Sequence, residues 1–98
     1  MMPGDAVSVA PNNYKTIFEN DRVRLLEYRG KAGDKTEMHS HPDLLAYPMT
    51  AAKVKFTFPG GQSIEAEMQA GEAMFQEAHE HSTEILGGDT HVLLFELK

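Results

Sequence analysis

The chain has no cysteine. That absence removes disulfide frameworks, thiolate zinc sites and cysteine nucleophiles together, and it suits a reducing cytoplasm. An excess of positive charge is missing as well. Nine lysines and arginines face fifteen aspartates and glutamates, a formal net charge of −6. The basic patch that phosphate binding needs is therefore lacking, and nucleic acid is not an expected partner. No apolar run approaches the roughly 20 residues of a membrane-spanning helix. The opening residues MMPGDAVSVAPNNYK have neither the basic n-region nor the apolar h-region of a secretory signal. A cytoplasmic protein without membrane contact is the expectation. Nor does any segment keep a helical period, and no repeat or low-complexity tract stands out.

What is present is a chain of 98 residues, 41% hydrophobic and 24% charged, which is ordinary globular composition for one domain with a modest core. Residues 1–13 read as an extended N-terminal arm. Pro3, Pro11 and Asn12-Asn13 discourage regular structure, and AVSVA is able to add one strand. Residues 14–98 read as strand and turn throughout. RVRLLEY (22–28), LLAYPM (44–49), GEAMFQ (71–76), STEIL (82–86) and THVLLFELK (90–98) are strand-like. KVKFTF (53–58) alternates cleanly, with Val54, Phe56 and Phe58 on one face. PGGQ then makes a hairpin turn, and SIEAEM (63–68) alternates again, with Ile64, Ala66 and Met68 inward. Short strands separated by glycine or proline predict an all-β antiparallel sandwich or barrel, in which inward positions on neighbouring strands converge.

The chemistry lies in the histidines. TEMHSHPD carries His39 and His41, and EAHEHSTE carries His79 and His81. In a strand, residues i and i+2 share a face and lie roughly 6.5–7 Å apart, so two imidazoles can reach one metal at about 2.0–2.1 Å each. One HxH alone is a weak signal, since histidines beside Ser40 and Pro42 are equally read as solvated. Two such pairs, holding four of the five histidines, are the raw material of a metal site.

GDKTEMHSH (33–41) resembles the first motif of the cupin superfamily, a glycine, five residues and then HxH, here Gly33, His39 and His41. AGEAMFQEAHEHSTEILG (70–87) resembles the second, in which a glycine opens a strand and a histidine follows a turn. The resemblance covers residues 14–98 and is to small, single-domain RmlC-like cupins. It implies a small antiparallel jelly-roll-like β-barrel with one metal inside, and frequent homodimers, for which the N-terminal arm is a candidate contact. There are departures. The glutamate that cupins usually carry beyond a gap of three or four residues after HxH is replaced by Leu45 and Ala46. Ala52 stands near the first motif's closing glycine, and QEA replaces the Pro-x-Gly turn of the second. His81 matches the second motif better than His79, because Gly87 follows it at the expected spacing.

Cupins of the cysteine dioxygenase-like and diketone-cleaving types hold iron with three histidines and no carboxylate. His39, His41 and His81 would give that arrangement. His79 would then be a fourth ligand, a residue orienting a ligand, or an exposed turn residue. Imidazole ligands suit iron, nickel, zinc, manganese or copper, and the identity stays open. Parity carried on from His41 turns Leu45, Tyr47 and Met49 inward, with Phe56, Phe75 and Met68 as apolar lining. Tyr47 would then be the catalytic candidate, its hydroxyl bonding a metal-bound ligand; a packed core tyrosine is the alternative. Arg22 and Arg24 are candidate anchors for an anionic substrate, against a plain exposed role. Glu77, Glu80 and Glu84 flank the second pair as candidate imidazole partners, and His91 reads as structural. The expected function is a metal-dependent, dioxygenase-like enzyme acting on a small polar molecule, with a non-catalytic metal- or ligand-binding module as the alternative.

Overall fold

The computed structural model describes residues 4–98. The part of the expected arm at residues 1–3 lies outside the described residues. Nine strands follow one helical turn, α1 (Ala6–Val9). They are β1 (Tyr14–Glu19), β2 (Val23–Gly30), β3 (Lys35–His41), β4 (Leu44–Pro48), β5 (Ala52–Thr57), β6 (Ser63–Met68), β7 (Met74–Gln76), β8 (His79–Gly87) and β9 (Thr90–Leu97). A five-stranded sheet has the order β1-β2-β9-β4-β7, and a four-stranded sheet has the order β3-β8-β5-β6. Every named pairing is antiparallel. The expected all-β, jelly-roll-like domain is what forms, as two facing sheets.

Turn chemistry explains where the strands break. Gly60 and Gly61 take φ of 95° and 91°, the left-handed region open to glycine, and so close the β5–β6 hairpin. Gly33, with φ of 92°, reverses the chain between β2 and β3. Side chains then alternate across the pleat. Leu26, Leu44 and Ile85 are fully buried between the sheets, joined by Val54, Met68, Val92 and Leu94. The opposite parity leaves an apolar row on the outer face of the larger sheet. Phe18 pairs Leu25, Leu25 pairs Phe95, Phe95 pairs Leu45, and Leu45 pairs Phe75.

Three local expectations are corrected. AVSVA is a helical turn rather than a strand: Asp5 caps it by accepting from Ser8 N at 3.3 Å, and Ala6 and Ala10 are buried in the core. Leu45, Tyr47 and Met49 point outward, at 41%, 39% and 45% exposure, while Leu44, Ala46 and Pro48 point in. The chain changes sheets at Pro42-Asp43, so β4 starts a new alternation and the parity of His41 does not carry over. Phe75 and Ile64 are also exposed: Phe75 shares the outward parity of its partner Leu45, and Ile64 lies on β6, the last strand of its sheet.

Candidate metal centre

The pairing of β3 with β8 brings the histidines together. β3 and β8 run side by side, with His39 opposite His81 and His41 opposite His79. A β-bulge lies between Thr36 and His39. It inserts one extra residue, which puts Thr36, His39 and His41 all on the inner face although Thr36 and His39 are three apart. His39, His41 and His81 are buried, and each offers a ring nitrogen such that all three lie within 4.8 Å of one another. Ligand atoms about 2.1 Å from a shared ion sit at most about 4.2 Å apart.

Hydrogen bonds on the far side of each ring decide which nitrogen faces inward. His39 Nδ1 is 2.8 Å from the Glu37 carbonyl, an oxygen exposed by the bulge. His41 Nδ1 is 2.8 Å from Glu96 Oε2. His79 Nδ1 is 2.7 Å from the Glu77 carbonyl. A carbonyl only accepts, so His79 carries its proton on Nδ1 and, when neutral, presents a lone pair at Nε2. That Nε2 lies 2.9 Å from His81 Nδ1, which therefore donates. All three clustered histidines are thus held as Nδ1–H tautomers with Nε2 lone pairs pointing inward. Among the described residues, the buried Nε2 atoms of His41 and His81 have no hydrogen-bond partner. Burial lowers the His39 pKa to about 4 and the His81 pKa to about 2, with the neighbouring histidines adding to the effect. Both rings stay neutral at pH 7. Converging buried imidazole nitrogens, those of His41 and His81 without a hydrogen-bond partner and that of His39 met by Tyr14 Oη, are the donor set that a divalent transition metal takes.

His79 itself faces His81 rather than the centre, and it begins β8 rather than lying in a turn. It orients a clustered ring. The carboxylate that does the same for His41 is Glu96, which the sequence reading missed. Glu96 is 1% exposed. Besides His41, it accepts from Arg24 Nε at 2.9 Å and Nη2 at 2.6 Å, and Arg24 in turn reaches Asp5 at 2.7 Å. Burial alone would raise the Glu96 pKa. The hydrogen bonds from His41 and Arg24, with the Arg24 charge, outweigh it and hold the carboxylate below its usual range. The signal was available: Thr90, Val92, Leu94 and Glu96 share one parity in β9 and all face inward.

The other candidates fall elsewhere. Arg24 is occupied by two carboxylates and is no free anchor, and Arg22 is exposed. The side chains of Glu77, Glu80 and Glu84 orient none of the clustered rings; only the Glu77 backbone contributes. His91 pairs with Glu27 at 2.9 Å. Tyr47 is displaced from the site by its outward parity. The tyrosine at the site is Tyr14, buried, with its hydroxyl 3.4 Å from His39 Nε2 and its ring 5.3 Å from that of His39. Burial keeps that hydroxyl protonated.

A cavity of about 50 Å³ runs inward from His41 and His81, with Val54, Met68, Ile85 and Leu94 among its walls. A wider depression of about 310 Å³ adjoins it, and Phe56, Gln76 and His81 line both. Ile64 and Ala66 of β6 and Met74 of β7 form its rim. The mouth therefore opens between the last strands of the two sheets.

No protein-family sequence model and no curated protein sequence matches the chain, whereas solved structures match it closely in shape. A cupin domain from Bordetella pertussis Tohama I aligns over 100% of this chain and 97% of its own length, with a TM-score of 0.77 and 24% identity. An RmlC-like cupin from Desulfovibrio desulfuricans aligns over 93% and 89%, with a TM-score of 0.62 and 16% identity. The polyketide cyclase RemF from Streptomyces resistomycificus aligns over 86% of this chain and 63% of its own, with a TM-score of 0.62 and 20% identity. The chain has the cupin fold. Among the described residues, no helix is long and apolar enough to cross a membrane.

Proposed function

We propose that this chain binds one divalent transition metal through Nε2 of His39, His41 and His81, and that it is an enzyme acting at that centre on a small oxygen-bearing molecule. The observation that carries the reading is the tautomer arrangement: every Nδ1 is committed outward and every Nε2 inward. Bound there, iron, nickel, zinc, manganese or copper would supply Lewis acidity, and iron would add a redox couple for dioxygen. The chain's own residues do the rest. Glu96 and His79 hold two rings in place and raise their basicity. Tyr14 holds a hydroxyl donor beside the centre. The apolar walls limit water, and Gln76 stands at the neck.

The enzyme reading is favoured over a closed binding module by His79. Its Nε2 is taken by His81, so three protein ligands rather than four are aimed at the centre. RemF, named as a cyclase, supports the view that this fold serves catalysis. The test is metal-stripped protein reloaded with ferrous iron in an oxygen electrode and offered small 1,3-dicarbonyls and hydroxy acids. Oxygen uptake that needs both iron and substrate, and is lost in His81→Ala, is the expected result; a protein that binds the metal and turns over none of them is the binding module. The homodimer suggested by the resemblance is assigned to the outer apolar row, because a second copy stacked on that sheet by a two-fold axis covers the same row on both subunits. Sedimentation of Leu45→Lys should show a monomer where the wild type is a dimer; a monomeric wild type ends the idea.

A further inference from the structure

The cavity has a second polar end. Tyr28 Oη and Thr90 Oγ1 are both buried, and neither has a hydrogen-bond partner among the described residues. Their residues are 5% and 3% exposed. An unpaired buried hydroxyl is destabilising unless something satisfies it. The Thr83 hydroxyl, bonded to Thr36 Oγ1 at 2.6 Å, stands near Tyr28 Oη and acts on it electrostatically, but no group among the described residues meets hydrogen-bond geometry with Tyr28 Oη. The pleat places the two free hydroxyls side by side. Tyr28 and Gly30 share a face of β2, and Gly30 is paired with Thr90 of β9. The tyrosine lies back over Gly30: a Cβ at that position would stand 2.5 Å from Tyr28 Oη. The absent side chain of Gly30 is what lets the hydroxyl occupy this place.

Tyr28 and Thr90 line the inner cavity together with His41 and His81, yet neither lines the mouth. They lie away from the mouth, on a side where Thr90 and Gly30 also border a separate surface depression. Tyr14 stands between the two polar ends, its ring 4.9 Å from Tyr28 and 5.9 Å from His41. The remaining wall is largely aliphatic, and no lysine or arginine lines the cavity. A group bound at the Tyr28 end is therefore neutral, and any negative charge on the ligand belongs at the histidine end. A volume of about 50 Å³ has room for roughly four water-sized groups.

We infer that Tyr28 and Thr90 form a distal subsite for the neutral oxygen of a short hydroxy or oxo acid whose carboxylate faces His39, His41 and His81. This rests on the metal reading above and names its substrate class. The two hydroxyls act as a donor and acceptor pair, so they select for an oxygen at the far end of the ligand. They also select for length, since the wall between the two polar ends is largely aliphatic, with the Tyr14 and Thr83 hydroxyls already engaged by His39 and Thr36.

The test uses zinc-loaded protein, with zinc stoichiometry measured in each sample, and calorimetric titration with acid pairs. Glycolate, 3-hydroxypropanoate and 4-hydroxybutanoate are each compared with acetate, propanoate and butanoate. At least one hydroxy acid is expected to bind fivefold or more tighter than its partner, the effect of one or two neutral hydrogen bonds. Tyr28→Phe and Thr90→Val should keep zinc and lose that preference. A wild type that holds zinc but treats every pair alike overturns the subsite, as does a preference that survives in both variants. A wild type that fails to hold zinc overturns the metal reading, and the subsite with it.

Discussion

Glu96→Gln isolates what the buried carboxylate does for the centre. The substitution keeps the volume and removes the charge. In the wild type Oε2 accepts from His41 Nδ1 at 2.8 Å, and Oε1 accepts twice from Arg24. A glutamine has one oxygen and one NH2 group, so it can accept from His41 or from Arg24, and its NH2 must then face the other donor. Asp5 still holds Arg24 from outside, so the arginine is only partly orphaned. Breaking one side of a buried pair costs about 3–5 kcal/mol, and the remaining Asp5 contact puts this case near the lower end. For a domain of this size, about 3 kcal/mol lowers Tm by very roughly 12–24 °C. His41 also loses the partner that fixes its tautomer, so zinc affinity should fall about 10–100-fold. Thermal melts with and without chelator read the first effect, and competition against a chromophoric chelator reads the second. A variant that melts lower yet binds zinc as tightly as the wild type refutes the positioning role. A variant unchanged in both refutes the wiring altogether.

Other substitutions and conditions give separate checks. His81→Ala should abolish metal binding, whereas His79→Ala should keep one metal per chain at about tenfold lower affinity, by competition titration; equal losses would make His79 a ligand. The metal-free protein should lose stability in mild acid. Burial depresses the His39 and His81 pKa values to about 4 and about 2, against about 6.5 in the unfolded chain, so the unfolded state takes up protons first. Stability is then full above pH 6.5 and falls below it, by about 4 kcal/mol at pH 5 for the two groups together; urea midpoints that stay flat from pH 7.5 to 5 would contradict this. Gly30→Ala should destabilise by about 1–3 kcal/mol, because the added Cβ collides with Tyr28 Oη, while Tyr47→Phe should leave both stability and metal affinity unchanged.

Much of this arrangement can be read from the chain before any coordinates, and the parts that cannot have physical causes. Alternation in KVKFTF and the glycines at 60 and 61 locate β5 and its hairpin, because pleat and turn are local. The two histidine pairs announce candidate metal ligands for the same reason, since their i, i+2 spacing is local. Parity from His41 into LLAYP fails at Pro42-Asp43, since a chain that crosses between sheets restarts its alternation. That error put Tyr47 at the site and hid Tyr14, whose approach to His39 depends on how β1 folds over β3. Glu96 lies 55 residues from His41, and only the facing of β9 against β3 joins them. Its inward parity beside Val92 and Leu94 was nonetheless visible. The helical turn at Ala6–Val9 depends on Asp5 as its cap and on burial of two alanines, and its β-branched residues pointed the other way.

The central claim is three inward Nε2 atoms on one ion. Zinc-edge X-ray absorption on the reconstituted protein, with total zinc measured alongside, tests it most directly. The account predicts one zinc per chain and three imidazole nitrogens at about 2.0–2.1 Å, with lighter oxygen donors completing the shell; no bound zinc, or a shell of two or four imidazoles, would contradict it.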